Sequence, residues 1–240
     1  MIPHDTHLQI GSLLFEGIDQ IDLTGPFEVL SRIPNSTYRI YGKTADTIRD
    51  LKGLRLTPDA ALSEAPQLDV LHVPGGFGQE ALMEDDEVIG WIARQAEGAR
   101  CVFSVCTGAL LCGAAGLLRG RRATTHWASL HLLPLFGATV VNERVVIDGN
   151  WIFAAGVTAG IDGALRLAAE LRGDDAAKAI QLYMAYAPEP PFDSGTPETA
   201  PPAILAEARR SVAAITAQRE ATARRTAARL GIDMPAAQSV

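Results

Sequence analysis

Cys106 is the residue of this 240-residue chain best placed for covalent chemistry. It lies in Val102-Phe103-Ser104-Val105-Cys106-Thr107-Gly108-Ala109, where an apolar strand runs straight into a helix with a nucleophile-type residue at the junction. Ser104 and Gly108 flank it two positions either side, and a tight strand-to-helix turn needs small neighbours there. Such a turn lifts the sulfur above the sheet edge, and the helix N-terminus behind it is expected to favour the thiolate. A small buried cysteine packing strand against helix is the plainer alternative. Cys101, at the start of the strand, and Cys112, inside the helix, read as core cysteines. Three cysteines cannot all pair, and without a C-x-x-C spacing neither a disulfide framework nor a zinc site is expected.

Asp22, in Gln20-Ile21-Asp22-Leu23-Thr24-Gly25-Pro26, is the second candidate. It falls between the first strand and the first helix, at a carboxyl end of the sheet. In a parallel α/β sheet the carboxyl ends share one edge, where ligands bind. Asp22 and Cys106 can therefore meet although 84 positions separate them. A carboxyl against a thiol can donate a proton or hold one for a substrate; a turn or cap residue is the plainer reading. The third candidate is the turn Val73-Pro74-Gly75-Gly76-Phe77-Gly78-Gln79-Glu80-Ala81. Its glycine pattern superficially matches a dinucleotide fingerprint, but it does not follow the first strand and lacks an acid at a later strand end. Backbone N–H groups aimed at a negative intermediate beside Cys106 are the better use of it, and a left-handed turn that merely needs glycine is the plainer one. His126, in Ala123-Thr124-Thr125-His126-Trp127, reads as a helix start capped by threonine rather than as the base of a Cys–His pair. Phe77 and Val157 are candidate pocket-lining residues. No phosphate loop of the G-x-x-x-x-G-K-[ST] type occurs.

The elements that must hold these residues alternate between short strands and longer helical stretches. Strands are expected at Leu8 to Phe15, Tyr38 to Tyr41, Asp69 to Val73 and Cys101 to Val105. Strand-like runs at Ala138 to Asn142, Glu143 to Ile147 and Trp151 to Ala154 suggest a hairpin, with Asp148-Gly149 as a type I′ turn. Helices are expected from a Thr24 cap with Pro26 in the first turn, then over Glu87 to Gly98, Thr107 to Leu118, Thr158 to Leu171, Asp174 to Tyr186 and Pro202 to Leu230. The order argues an α/β fold: a doubly wound, mostly parallel sheet with helices on both faces. Ala187 to Pro202 carries six prolines and reads as an extended arm. Residues 1–199 form the expected α/β domain, and 200–240 a helical extension that packs on the domain or on a partner subunit.

Composition narrows the function classes. Hydrophobic residues make up 48% and charged residues 20%, which suits a chain that buries a core rather than a disordered one. The net charge of −7 argues against nucleic acid as a partner. Residues 200–240 are locally basic, with six arginines against three acids, and read as a solvated face or one packed across an acidic neighbour. No signal peptide and no run of about 18 apolar residues is visible, so a cytoplasmic protein that leaves membranes alone is expected.

At these motifs the chain resembles the PfpI-type superfamily of class I glutamine-amidotransferase-like domains, and within it the bacterial isocyanide hydratases. The stretches that carry the resemblance are LLFEGIDQIDLTGPFEVL, VPGGFGQEALMED, SVCTGALLCGAAGLLRGRRATTHWA, NERVVIDGN, VTAGIDGAL and YAPEPPFDSGTPETAP, within residues 8–202. The resemblance implies a flavodoxin-like sandwich, a homodimer, no metal and no cofactor. It implies hydration of an isocyanide to an N-substituted formamide, with Cys106 as nucleophile, Asp22 as general acid/base, and Thr107 and the turn at Gly76 shaping the site. Many superfamily members carry a glutamate near the first helix and a histidine after the cysteine. Here Asp22 and Thr107 take those places, which weakens protease, glyoxalase and amidase readings. Two alternatives stand beside the hydratase: a redox or small-molecule sensor in which Cys106 does not turn over, and a superfamily enzyme acting on an α-oxoaldehyde. A DNA-binding regulator would need paired helices after Pro202, where only one helical stretch is expected.

Overall fold

The computed structural model describes residues 2–232; Met1 and residues 233–240, the end of the expected extension, lie outside the described residues. The chain runs through β1 (Leu8–Leu14), α1 (Gln20–Leu30), β2 (Ser36–Gly42) and the short strands β3 (Ile48–Arg49), β4 (Arg55–Leu56) and β5 (Ala60–Ala61). It continues through β6 (Val70–Val73), α2 (Gln79–Leu82), α3 (Asp86–Gly98), β7 (Cys101–Val105), α4 (Gly108–Ala114) and β8 (Arg122–Ala123). A 3₁₀ helix (Trp127–Phe136), β9 (Thr139–Val140), β10 (Val145–Asp148), β11 (Trp151–Ala154), α5 (Ala159–Arg172), α6 (Asp174–Tyr183) and α7 (Pro202–Arg229) complete it.

The main sheet has the order β10-β11-β7-β6-β1-β2-β5, and every pairing in it is parallel except β10 with β11. Leaving out its edges, β2-β1-β6-β7-β11 is the flavodoxin-like order, in which β1 lies at the switch point where ligands bind. Alternation along the buried strands sends side chains into two separate cores. Phe103, Val105, Ile152 and Ala154 face α1, α5 and α6, while Val102 and Phe153 face the cluster built from α3, α4 and the 3₁₀ helix. Burying each such Val, Ile or Phe stabilises the fold by roughly 1.5–3 kcal/mol. Helices therefore cover both faces, as expected from the order of elements.

Several local expectations differ from the structure. Helix α1 starts one turn earlier than Thr24, because Asp19 caps it by accepting from Ile21 N (3.3 Å). Thr24 instead donates to Gln20 Oε1 (2.8 Å), and Pro26 sits inside the helix. Helix α4 stops at Ala114 rather than Leu118. Gly116 takes φ 77°, and the N–H groups of Gly116 and Leu117 close the end on the carbonyls of Gly113 (2.9 Å) and Cys112 (3.0 Å). The hairpin joins β10 to β11 with Asp148 opposite Trp151, so Gly149-Asn150 form the loop. Only Gly149 has positive φ (62°), whereas a type I′ turn needs it at both positions. Strand β9 pairs in parallel with β8 and not with the hairpin. No helix or strand lies between Tyr183 and Pro202, in keeping with the proline arm. Helix α7 packs on the 3₁₀ helix, α2 and α4, and its Arg225 meets Glu84 at 2.8 Å. Among the described residues no helix is long and apolar enough to cross a membrane.

Candidate active site

Strand β7 delivers Cys106 to the carboxyl edge, and the chain reverses there at once into α4. Cys106 takes φ 55°, the left-handed region, which costs a non-glycine residue on the order of 1 kcal/mol or more. Two bonds hold it in place: its N–H donates to Ala154 O (2.9 Å) and its carbonyl accepts from Thr125 Oγ1 (2.7 Å). The turn is so tight that a Cβ on Gly108 would sit 2.0 Å from the Val73 carbonyl oxygen. The small residue expected two positions after Cys106 is thus a steric requirement.

Asp22 lies in the first turn of α1 rather than before it, and it is fully buried. Its Oδ2 accepts from Gly75 N (3.0 Å). Its Oδ1 is buried with no well-formed hydrogen bond among the described residues, and the Cys106 thiol lies within interaction range of the carboxyl. The two sequence candidates do meet.

The glycine turn joins them. Gly76 takes φ 138°, and a Cβ there would fall 2.3 Å from Asp19 N, so only glycine lets the turn lie against the start of α1. Gly75 O accepts from Asp19 N (3.0 Å), and Gly76 N donates to Thr107 Oγ1 (3.1 Å). The N–H groups expected to await a negative intermediate are therefore engaged by Asp22 and Thr107. Their work in this structure is to orient those two side chains.

The protonation state also departs from expectation. Burial and the neighbouring Asp22 charge push the Cys106 thiol well up, outweighing the Thr107 N–H and the Arg219 charge that favour a thiolate. Burial and Asp19 push the Asp22 carboxyl well up against the pull of Cys106, Gly75 and Arg219. Both groups are thus pushed toward their neutral forms. The turn behind Cys106 favours a thiolate less than desolvation opposes it. Cys101 and Cys112, both buried and free, are pushed up to about 12 by burial and read as core residues.

The remaining candidates occupy two places. Phe77 is partly exposed beside the glycine turn, under the Arg219 guanidinium, whose carbon lies 5.5 Å from the ring centroid. Val157 lines a cavity of about 590 Å³ together with Thr125, His126, Trp127 and Gly156. Thr125, which holds the Cys106 carbonyl, links this cavity to the elbow. His126 caps the 3₁₀ helix through Nδ1, which accepts from Ala128 N (3.4 Å), the place the sequence reading gave to a threonine. Burial lowers its imidazole to about 4, and it makes no hydrogen bond to Cys106 among the described residues.

Sequence reasoning missed Arg219. It reaches the glycine turn from α7, almost fully buried, with Nη2 donating to Gly76 O (2.8 Å) and Nε to Gln79 Oε1 (3.2 Å). Nothing in its local sequence separates it from the other arginines of that helix.

Cysteine elbow, buried acid and glycine turn on a flavodoxin-like sheet define a class, and the chain belongs to the DJ-1/PfpI family, whose model matches residues 9–170. Within that class it is similar to the isonitrile hydratase of Pseudomonas putida, with 50% identity over 225 residues, 94% of this chain and 99% of that protein. A THiJ/PfpI family protein from Pseudomonas syringae superposes with a TM-score of 0.89 at 38% identity, covering 92% of this chain and 93% of the other. The HTH-type transcriptional regulator GbdR of Pseudomonas aeruginosa is 31% identical over 74% of this chain, a match that takes in half of the regulator.

Proposed function

We propose that the chain is an isocyanide hydratase, converting R–N≡C and water to R–NH–CHO without a cofactor. The observation that carries this is the half-identity to an isonitrile hydratase along nearly the whole of both chains; isonitrile and isocyanide are the same functional group. The thiol–carboxyl pair suits the chemistry. A terminal isocyanide carbon accepts a nucleophile and a proton on the same atom, so donor and nucleophile must converge on one point, as Cys106 and Asp22 do.

The proposed sequence balances with two protons on the pair. The Cys106 sulfur attacks the terminal carbon while Asp22 gives that carbon its proton and takes up the thiol proton. The product is a thioimidate, Cys106–S–CH=N–R. Asp22 then protonates the nitrogen and accepts a proton from water as the water oxygen adds to the carbon. The adduct collapses to the formamide, and its hydroxyl proton returns to the departing sulfur. Covalent catalysis splits one difficult addition into two steps. Thr107 and Gly76 keep the turn in register with the pair, while Phe77 and Val157 border the space for R.

The reading includes assembly and location. We take the protein as a cytoplasmic homodimer that acts on a small molecule and not on nucleic acid. Leu182 and Tyr183 on α6 and Phe192 in the proline arm are large apolar side chains left exposed, which supports a second copy as partner. The sensor reading draws on the similarity to GbdR, and turnover separates the two. Purified protein should release formamide from an aryl isocyanide, followed by NMR, and Cys106→Ala should abolish release while keeping the wild-type circular dichroism. Full activity in that variant would remove the covalent mechanism. No turnover by folded, reduced wild type would favour the sensor.

A further inference from the structure

Arg219 is a charged residue whose surroundings do not look like those of a structural arginine. It is 3% exposed, yet it has no carboxylate within ion-pair distance among the described residues. Glu80, the nearest acid on α2, accepts from Thr222 instead. Burying a charge without a counter-charge is costly, so stability alone does not account for it. What its donors reach is the glycine turn: Nη2 bonds Gly76 O, Nε bonds Gln79 Oε1, and the guanidinium lies over Phe77. The other side of the same turn bonds Asp22 and Thr107.

We propose that Arg219 is a positioning residue of the active site, brought by the C-terminal helix to clamp the 75–79 turn and to hold a fixed positive charge over the Cys106–Asp22 pair. The inference rests on that pair being the working pair of the proposed function. Its physical content is twofold. Anchoring the Gly76 carbonyl fixes the Gly76–Phe77 peptide plane and so restrains the turn whose Gly75 N–H orients Asp22. The charge favours whichever member of the pair becomes negative as a proton moves from Asp22 to the substrate carbon. Helix α7 is thereby part of the site, tied to α2 by Thr222 with Glu80 and to the segment after α2 by Arg225 with Glu84.

The charged and titratable groups that share this space are Asp19 and Asp22 from α1, His72 from β6, Glu80 from α2, Cys106, and His126 ahead of the 3₁₀ helix. His72 and His126 are lowered to about 3 and about 4 by burial and stay neutral around pH 7, so Arg219 is the persistent positive charge among them. It favours the ionised form of both Cys106 and Asp22.

The test uses the full-length protein and needs no isocyanide. The rate of Cys106 alkylation by iodoacetamide is followed by mass spectrometry against pH for wild type, Arg219→Met and Arg219→Lys. Arg219→Met should move the thiolate midpoint upward by about one pH unit, which is ~tenfold in rate at a fixed pH below it. Arg219→Lys restores the charge and should recover most of that shift. A midpoint in Arg219→Met equal to wild type, or equal shifts in Met and Lys, would overturn the proposal. If Arg219→Met does not fold, Arg219→Gln keeps a donor for Gly76 O, removes the charge, and carries the same expectation. Failure of both to fold would make Arg219 a structural residue and end the proposal. A clear shift in a protein that hydrates no isocyanide would support this inference while sinking the hydratase. Hydration with an unmoved midpoint would do the reverse.

Discussion

The two ends of the sheet bury the same two residue types and use them differently. At the amino end Cys101 opens β7 and Arg172 closes α5; at the carboxyl end Cys106 leaves β7 and Arg219 arrives from α7. Arg172 is 2% exposed and bonds the carbonyls of Ile2, Pro3, Thr6, Pro34 and Asn35. Every one of those acceptors is backbone, so the guanidinium staples chain segments together. Arg219 bonds one carbonyl and one amide and faces a thiol and a carboxyl. Cys101 is held by ordinary strand geometry, while Cys106 sits in left-handed backbone next to an under-bonded Asp22. At the carboxyl end Asp22 Oδ1 and Gln79 Nε2 are buried without a hydrogen-bond partner among the described residues, whereas the Arg172 guanidinium is fully engaged. Unsatisfied buried groups cost stability, so an open Asp22 Oδ1 beside Cys106 calls for a reason other than packing.

The contrast breaks first at Arg172. Arg172→Met strands several carbonyls and should cost on the order of 3 kcal/mol or more, read as a lower urea midpoint, with the Cys106 alkylation profile unmoved. A changed thiol profile in that variant would mean the two ends are coupled. Acid comes next. His72 is buried and neutral, with Nδ1 hydrogen-bonded to Ser12 Oγ (2.6 Å), and burial lowers it from 6.5 to about 3. Below pH 6.5 the unfolded chain takes up a proton that the folded chain refuses until about pH 3. Stability contributed above that window is therefore lost as pH falls through it, at up to about 1.4 kcal/mol per pH unit. Urea unfolding across pH 7 to 4 should show this slope, and His72→Phe should flatten it; equal slopes would place the acid sensitivity elsewhere. The smallest effect belongs to Cys101→Ala. It should leave formamide release unchanged and cost about 1 kcal/mol for the lost packing. Loss of turnover there would break the division between the two ends.

Much of the carboxyl edge was legible in the sequence because its signals are local. The small residues around Cys106 report a turn too tight for a Cβ, and the run of glycines after Val73 reports a backbone pressed against α1. Parallel topology then places Asp22 and Cys106 on one edge whatever the intervening chain does. The helix start was misplaced at Thr24 because Thr-Gly-Pro is a capping pattern that a stronger cap at Asp19 overrode. The thiolate expectation failed for a related reason. A turn and a helix are visible locally, but the desolvation that dominates the Cys106 thiol comes from residues distant in the chain packing around it.

The sequence by itself determined the alternation of strands and helices, the edge that Asp22 and Cys106 share, and the tight turn at Cys106, because strand and turn preferences act over a few neighbouring residues. Only the tertiary structure decided which arginine of α7 reaches the glycine turn and how far burial pushes the pair toward its neutral forms. It also decided that the glycine N–H groups serve Asp22 and Thr107. Those outcomes depend on distance and dielectric between segments far apart in the chain, and neither quantity is written in any short run of residues.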